Sequence, residues 1–160
     1  MIFAALGLLC LASCAKQPCC QLEHPCYSYD ATIYELNTRQ LTLEGTFKAA
    51  EAVLPELKEL GVDIIWIMPI QKIGELERKG TLGSYYAITD YCQFNPEFGT
   101  RADFEHFLAE AHKLGLKVIL DWVANHTAPD SEWTKNDGWH YRDSLGKLMV
   151  QYDWTDISKL

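Results

Sequence analysis

Apolar residues are arranged in two ways along the chain, as short continuous runs and as runs with helical spacing. Continuous apolar runs of four to eight residues are typical of strands buried on both faces of a parallel sheet. Such runs lie within residues 62–68 and 117–122, and residues 31–36 are rich in β-favouring residues. Stretches with helical spacing lie between them, and strands that alternate with helices imply a parallel sheet. The pattern therefore predicts three consecutive strand–helix units of an α/β fold.

Residues with special backbone preferences mark the ends of two predicted helices. The first helix is expected to begin at the N-cap Thr46, and it should kink or restart at Pro55, because proline lacks an N–H and clashes with the preceding turn. The second helix is expected to begin after Thr100. Asp103 lies three residues further on, which resembles a capping box, and Gly115 closes the helix.

Polar residues stand at the end of the third predicted strand and just after it, with Asp121 directly after the apolar residues 118–120 and Asn125 and His126 close behind. Functional side chains of parallel α/β barrels lie at the carboxyl ends of the strands, so this placement indicates a functional edge. Asp and Asn are also favoured in turns for local hydrogen-bonding reasons. The residues alone therefore leave a purely structural role open.

Two further segments do not fit the strand–helix pattern. Residues 71–99 are too long for a simple connection, and loops of that length are usually functional. From residue 125 to residue 156 the chain is polar, aromatic and irregular.

Four histidines receive no predicted role: His24, His106, His112 and His140. Of these, His106 and His112 fall on the polar side of the second predicted helix.

Charge and composition narrow the class of partner. A formal net charge of −8 argues against nucleic acid as a partner, because a protein that follows phosphates needs a basic face. An aromatic fraction of 12% suits sugar stacking and a packed core equally. Four cysteines after residue 14 show no repeated metal-type spacing, which argues against zinc, and their disulfide pairing stays open: Cys19, Cys20, Cys26 and Cys92.

The N-terminus has the pattern of an export signal. Residues 2–11 form an apolar run that is too short to span a bilayer. Small residues then lead into Cys14, which resembles a bacterial lipoprotein processing site. The resemblance implies a signal peptide at residues 1–13, lipid attachment to Cys14, a tether over residues 14–30, and a lipid-anchored protein exported to the cell envelope. An ordinary cleaved secretory peptide is the alternative.

Over residues 31–133 the chain resembles the α-amylase family, glycoside hydrolase family 13. The resemblance rests on the order and spacing of five segments: residues 33–37 (IYELN), 60–70 (LGVDIIWIMPI), 83–91 (GSYYAITDY), 95–100 (NPEFGT) and 121–126 (DWVANH). It implies a (β/α)8 TIM barrel, with residues 31–124 as its first three β/α units. Residues 125–160 would begin the family's B domain, the long excursion after the third strand.

The family resemblance also implies a reaction and the place of its catalytic groups. Family members cleave α-linked glucans with retention, using a carboxylate nucleophile and a carboxylic general acid. Both are expected after strands four and five, beyond Leu160. We therefore assign neither role to a residue of this chain, and we expect the 160 residues alone to be inactive. Asp121 is not a substitute for either group.

The same resemblance assigns roles to four residues. His126 corresponds to a histidine that donates a hydrogen bond to the sugar at the cleavage subsite, and Tyr86 to an aromatic ring that stacks beneath that sugar. The neighbouring Tyr85 is the alternative for this stacking role. Asp121 corresponds to a carboxylate that supports the reacting groups. Asn125 corresponds to a calcium ligand, and the resemblance leaves both the presence and the absence of Ca²⁺ open.

Three functions remain open at this stage. The first is a hydrolase acting on starch-like α-glucans or maltooligosaccharides. The second is a transferase or isomerase on the same scaffold, such as a branching enzyme or a trehalose synthase. The third is a catalytically inactive lipoprotein that binds glucans at the cell surface.

The lipoprotein interpretation predicts a label that depends on one cysteine. A palmitate analogue supplied to the host should tag the protein, and Cys14→Ala should abolish the tag and release the protein from the membrane fraction. Cys10→Ala is the matched control, since Cys10 lies inside the apolar run and should leave the tag in place. Unchanged membrane retention of the Cys14→Ala variant contradicts the interpretation.

Overall fold

The structure is a computed structural model that describes residues 24–160. The predicted signal peptide, Cys14 and most of the predicted tether lie outside the described residues. The chain divides into two compact units, one ending at Ala31 and one formed by Thr32–Leu160. In the described part of the first unit, a 3-10 helix spans Cys26–Ser28, and Cys26 is disulfide-bonded.

The second unit contains the predicted alternation of strands and helices together with additional short elements. In chain order the strands and helices are β1 (Ile33–Leu36), α1 (Thr38–Leu41), α2 (Phe47–Glu51), α3 (Leu54–Glu59), β2 (Ile64–Ile67), β3 (Gln71–Ile73), β4 (Ile88–Phe94), α4 (Arg101–Lys113), β5 (Lys117–Leu120), β6 (His126–Thr127) and β7 (Ser158–Lys159).

Strands β1, β2 and β5 form a parallel sheet in that order, which confirms the predicted β/α units. The register aligns Leu36 with Ile67 and Ile67 with Leu120, so all three strands end at the same edge. The third strand ends at Leu120, two residues earlier than predicted. The Asp121 N–H still donates to the carbonyl of Ile67 at 2.9 Å, which places this residue at the carboxyl edge of the sheet.

The hydrophobic core lies between this sheet and the helices α2 and α4. Phe47 is its centre, fully buried and in edge-to-face contact with Phe98 and Phe104 at centroid distances of 5.9 and 5.2 Å. Such aromatic pairs stabilise beyond the area that they bury. The Phe47 N–H also donates to the Phe98 carbonyl at 2.9 Å, which fixes the start of α2 against the segment before α4.

Both helix predictions are confirmed, including the restart at Pro55. The first predicted helix is interrupted, and α3 restarts with Pro55 in its first turn, where a missing N–H costs nothing. At the start of α4 the capping box is complete: Thr100 Oγ1 accepts from the Asp103 N–H at 3.2 Å, and Asp103 Oδ2 accepts from the Thr100 N–H at 2.8 Å.

The pattern of apolar residues did not reveal the β3–β4 hairpin or helix α1. Residues 71–99 contain a β-hairpin rather than only a loop, because β3 and β4 pair antiparallel. Shifts in the register of this pair break the regular alternation that would have predicted it. Helix α1 is a single turn of 4 residues, too short to show helical periodicity.

The other face of the parallel sheet is largely exposed and carries apolar residues together with Glu35 and Lys117. Ile33, Trp66 and Ile119 are solvent-accessible there, and the described residues place no layer over them. Interior faces of parallel barrels carry such side chains, which matches the predicted barrel. None of the helices between His24 and Leu160 has the length and apolar composition that a bilayer crossing requires.

Candidate functional site

Asp121 and Tyr86 meet at the carboxyl edge of the sheet. The Tyr86 hydroxyl donates a hydrogen bond to Asp121 Oδ2 at 2.9 Å. Burial, then the hydrogen bond to Asp121 and the charges of Asp121 and Glu35, together raise the pKa of this hydroxyl to about 12. The hydroxyl therefore stays protonated near neutral pH, and it holds the Asp121 carboxylate in a fixed orientation.

The hydrogen bonds of His126 define its protonation. Its Nε2 lies 3.1 Å from the Tyr86 carbonyl, which only accepts, so Nε2 carries the proton. Its Nδ1 then accepts from the Asn125 amide nitrogen at 3.1 Å. Burial lowers the pKa of His126 more than the Tyr86 carbonyl and the charge of Asp156 raise it. The imidazole is consequently neutral at pH 7.

This arrangement affects how His126 could contact a sugar. Both ring nitrogens already have protein partners. For the ring N–H to donate to a sugar oxygen, as the sequence predicts, the Tyr86 carbonyl must be exchanged for that oxygen or share the proton with it. The structure therefore places His126 at the site in an orientation set by Tyr86.

The two neighbouring tyrosines face different surroundings. Tyr85 packs against the hydrophobic core, its hydroxyl accepts from the Asn37 amide at 3.2 Å, and the Arg39 guanidinium lies 4.3 Å from its ring centroid. Tyr86 instead lines a cavity at the carboxyl edge of the sheet, together with His126. Of the two candidates for the stacking ring, Tyr86 is the one that the cavity exposes.

Arg39 holds the loop that carries these tyrosines, a role that sequence reasoning missed. Its guanidinium donates to the carbonyls of Leu82 and Gly83 at 3.2 and 3.0 Å, and it pairs with Glu97 at 2.8 Å. Gly83 has φ +74°, and a Cβ there would meet the Arg78 side chain at 2.9 Å. The loop conformation thus requires glycine at this position, and Arg39 stabilises it.

Tyr91 holds the segment that leads to His126. Its hydroxyl lies 2.6 Å from the Val123 carbonyl and 2.9 Å from the His126 carbonyl, so one proton is shared between two acceptors. Its ring stacks on Trp133 at 4.6 Å between centroids. Burial raises its pKa to about 12. The hairpin strand β4 therefore fixes the backbone between the sheet edge and β6.

His140, for which the sequence predicted no role, is buried beside the site. The Thr127 hydroxyl donates to the Ala128 carbonyl, and its oxygen accepts from His140 Nε2 at 2.9 Å. His140 Nδ1 is buried without a hydrogen-bond partner. Burial, and then the charge of Arg142, lower the pKa of His140. The ring supports β6, the strand that contains His126.

The cavity at this edge has a volume of about 630 Å³, within the range of small-molecule sites. One wall is formed by Tyr86 and His126. Lys79, Trp154 and Asp156 also line it, and they come from the loop before Tyr86 and from the excursion after β6. None of these three residues was predicted to belong to the site. They lie in no recognisable motif, and only the fold brings them together.

Asn125 is the one residue predicted to bind a metal. It is exposed, and its side-chain nitrogen is engaged by His126. Between residues 24 and 160, no group of three or more His, Cys, Asp or Glu residues is placed to hold a metal ion. No such cluster accompanies Asn125 among the described residues, and Ca²⁺ binding stays a prediction.

The described residues form parallel β/α units with a cavity at the carboxyl edge of the sheet. This arrangement is typical of parallel β/α barrels. The chain matches the family model for the α-amylase catalytic domain over residues 30–154. It belongs to this family, as the sequence motifs predicted.

Similarity to individual proteins agrees with the family assignment. The chain is 36% identical over 151 residues to an α-amylase of Haloarcula japonica, covering 85% of this chain and 21% of that protein. It is 39% identical over 137 residues to a trehalose synthase of Thermus thermophilus, covering 82% of this chain and 13% of that protein. The crystal structure of an α-amylase from Lactobacillus plantarum superposes with a TM-score of 0.79 at 48% identity, covering 81% of this chain and 31% of that one.

The two buried histidines predict how stability depends on pH. Both His126 and His140 have lowered pKa values in the folded state, whereas the unfolded chain protonates them near 6.5. Below pH 6.5 the unfolded state therefore binds more protons, and the free energy of unfolding should fall with decreasing pH, by at most about 1.4 kcal/mol per pH unit for each histidine. Urea unfolding between pH 7.5 and 5.5 measures this slope.

Replacement of one histidine should reduce that slope. His140→Gln removes one of the two groups, so its free energy of unfolding should depend less steeply on pH than that of the wild type. His112→Gln, on the exposed side of α4, controls for the loss of an imidazole. Equal slopes in the wild type and His140→Gln contradict the prediction.

Proposed function

We propose that this chain supplies the sugar-binding half of an active site that hydrolyses α-linked glucans, such as starch and maltooligosaccharides, with retention of configuration. One observation carries the proposal: Tyr86 and His126 line the same cavity at the carboxyl edge of the parallel sheet, and Asp121 lies directly behind the Tyr86 hydroxyl. Relatives described as α-amylases support this substrate class.

Each residue has a role that its chemistry permits. The face of the Tyr86 ring offers a surface on which the CH groups of a sugar stack. The neutral His126 contributes one polar N–H beside that ring. Asp121 is bound by the Tyr86 hydroxyl, and its carboxylate supports the site from beneath rather than contacting the sugar. The cavity is thereby prepared to orient a glucose ring.

The reaction itself requires two carboxyl groups on opposite sides of the glycosidic bond, at a separation short enough for a covalent glycosyl intermediate. We assign these groups to the ends of the fourth and fifth strands of the barrel in the complete catalytic domain. The chain spans 21% of the α-amylase relative from Haloarcula japonica. Hydrolysis is accordingly proposed for the protein with a complete catalytic domain.

A transferase or isomerase on the same scaffold is the second candidate, and the similarity to a trehalose synthase favours it. Product analysis with maltose distinguishes the two: a hydrolase releases glucose, whereas an isomerase returns a disaccharide with a different linkage. A non-catalytic glucan-binding lipoprotein is the third candidate. It would bind maltooligosaccharides without releasing any product.

We further propose that the protein is exported and anchored to the cell envelope through a lipid on Cys14. The proposal rests on the apolar run before Cys14 and on the small residues that precede it. A surface or periplasmic location would give the site direct access to extracellular glucans.

The sugar-binding role predicts a catalytic defect in a His126 variant. If His126 contacts the sugar more strongly as positive charge develops on the ring, its loss weakens transition-state binding more than ground-state binding. In the complete enzyme, His126→Ala should then lower both kcat and kcat/KM for a short maltooligosaccharide, by roughly ten- to a thousandfold. Steady-state kinetics measures both constants.

The matched control for this variant is His112→Ala, which removes an exposed imidazole from α4. It should retain the wild-type constants. Wild-type kcat in His126→Ala would show that the residue is not part of the site.

Calcium binding predicts a response of stability to a chelator. If Asn125 contributes to a Ca²⁺ site, EDTA should lower the Tm of the wild type by on the order of 5–10 °C, because the linkage contribution of the bound ion is lost. Asn125→Ala should have a lower Tm that no longer responds to EDTA. A wild-type Tm that is independent of EDTA excludes the calcium role and leaves the sugar contacts untouched.

A further inference from the structure

A short turn carries the Tyr86 ring to the cavity. Gly83, Ser84 and Tyr86 all line the cavity. Within the turn, the Ala87 N–H donates to the Ser84 carbonyl at 3.2 Å, and the Tyr86 N–H donates to Ser84 Oγ at 3.2 Å. Both bonds join residues of the turn to one another, so they fix its shape but not its place in the fold. The position of the Tyr86 ring therefore depends on what holds this turn.

Arg39 holds the residues that lead into the turn. Its Nη2 donates to the Leu82 carbonyl at 3.2 Å, and its Nη1 donates to the Gly83 carbonyl at 3.0 Å. Glu97 Oε2 accepts from Nε and from Nη2 of the same guanidinium at 3.2 and 2.8 Å. The Arg39 side chain is only 14% exposed, so water competes little for these contacts. A planar guanidinium can hold two carbonyls and a carboxylate at once, whereas the ammonium of a lysine is a point charge on a flexible stem.

Tyr85 is a second link between Arg39 and the turn. The Arg39 guanidinium lies 4.3 Å from the Tyr85 ring centroid, and the Tyr85 hydroxyl accepts from Asn37 Nδ2 at 3.2 Å. Asn37 is the N-cap of α1 and Arg39 lies within that helix, so both contacts come from the junction of β1 and α1. Because Tyr85 and Tyr86 are neighbours in the chain, an anchored Tyr85 limits the positions that the Tyr86 backbone can adopt.

The influence of Arg39 on the site is geometric. Its charge is paired with Glu97, and the charges that act on the Tyr86 hydroxyl are those of Asp121 and Glu35. Arg39 is not among the residues that line the cavity. A sugar in the cavity would therefore meet the turn and the Tyr86 ring, and Arg39 would act on that sugar only through them.

We propose that Arg39 is a positioning residue for the reaction: it holds the carbonyls of Leu82 and Gly83 and the ring of Tyr85, and it thereby sets the Tyr86 ring beneath the sugar. This inference rests on the function proposed above. It gives the junction of β1 and α1 a part in substrate binding, although neither Asn37 nor Arg39 lines the cavity.

A double-mutant cycle tests whether Arg39 acts through Tyr86. In the protein with its complete catalytic domain, kcat/KM for maltotriose is measured for the wild type, Arg39→Ala, Tyr86→Ala and the double variant. Arg39→Ala should lower kcat/KM about tenfold when Tyr86 is present and less than about twofold when it is absent, because no ring is then left to position. Losses that simply add overturn the proposal, since a general structural role predicts additivity.

Two further variants complete the cycle. Arg39→Lys keeps the charge but cannot hold both carbonyls and Glu97, so it should show the same non-additivity with a smaller loss, and it replaces Arg39→Ala in the cycle if the alanine variant fails to fold. Arg101→Ala is the matched control, because Arg101 is an exposed arginine of α4 that pairs only with Glu105. It should retain the wild-type kcat/KM, and an equal loss in Arg101→Ala contradicts a specific role for Arg39.

Hydrogen exchange supplies a readout that does not depend on catalysis. In Arg39→Ala or Arg39→Lys, the amides of residues 82–87 should exchange several-fold faster than in the wild type, whereas those of α4 should keep their rates. Equal acceleration in both segments, or none in residues 82–87, overturns the proposal. A wild type that neither binds nor cleaves maltotriose contradicts the proposed function instead, so the two failures are distinguishable.

Discussion

Two hydrogen bonds of Tyr86 join the three parts of the site. Its hydroxyl donates to Asp121 at the edge of the parallel sheet, and its carbonyl accepts from His126 at the start of the excursion. Tyr86 itself lies on the loop that leads into β4. One residue therefore sets the distance between sheet, hairpin and excursion, and the protonation of His126 follows from it. If Tyr86 moved, the cavity would lose its shape and the imidazole its orientation together.

The sequence predicted the elements that have a regular period or a specific end signal. The parallel strands, the restart at Pro55 and the capping box at Thr100 all follow from local preferences, which are encoded in a few neighbouring residues. The hairpin of β3 and β4 was missed, because its register shifts remove the alternation. Helix α1 was missed because a single turn has no period.

The residues of the candidate site likewise fall into those that the sequence predicted and those that it did not. Asp121 and His126 could be named in advance because they follow an apolar strand within a recognisable motif. Arg39 and His140 could not. Arg39 acts on carbonyls more than 40 residues away, and His140 acts on a hydroxyl 13 residues away, so neither contact has a local signature. Tertiary contacts of this kind are determined only when the whole fold is known.

The cavity is built from two walls that are far apart in the sequence. Tyr86 and His126 are joined to each other and to Asp121 at the sheet edge, whereas Trp154 and Asp156 lie near the end of the excursion, where Lys79 contacts Asp156. Substitutions of Trp154 and Asp156 therefore leave the hydrogen bonds of Tyr86 to Asp121 and His126 in place. A scaffold with this separation can change its ligand preference during evolution while its reaction centre stays constant.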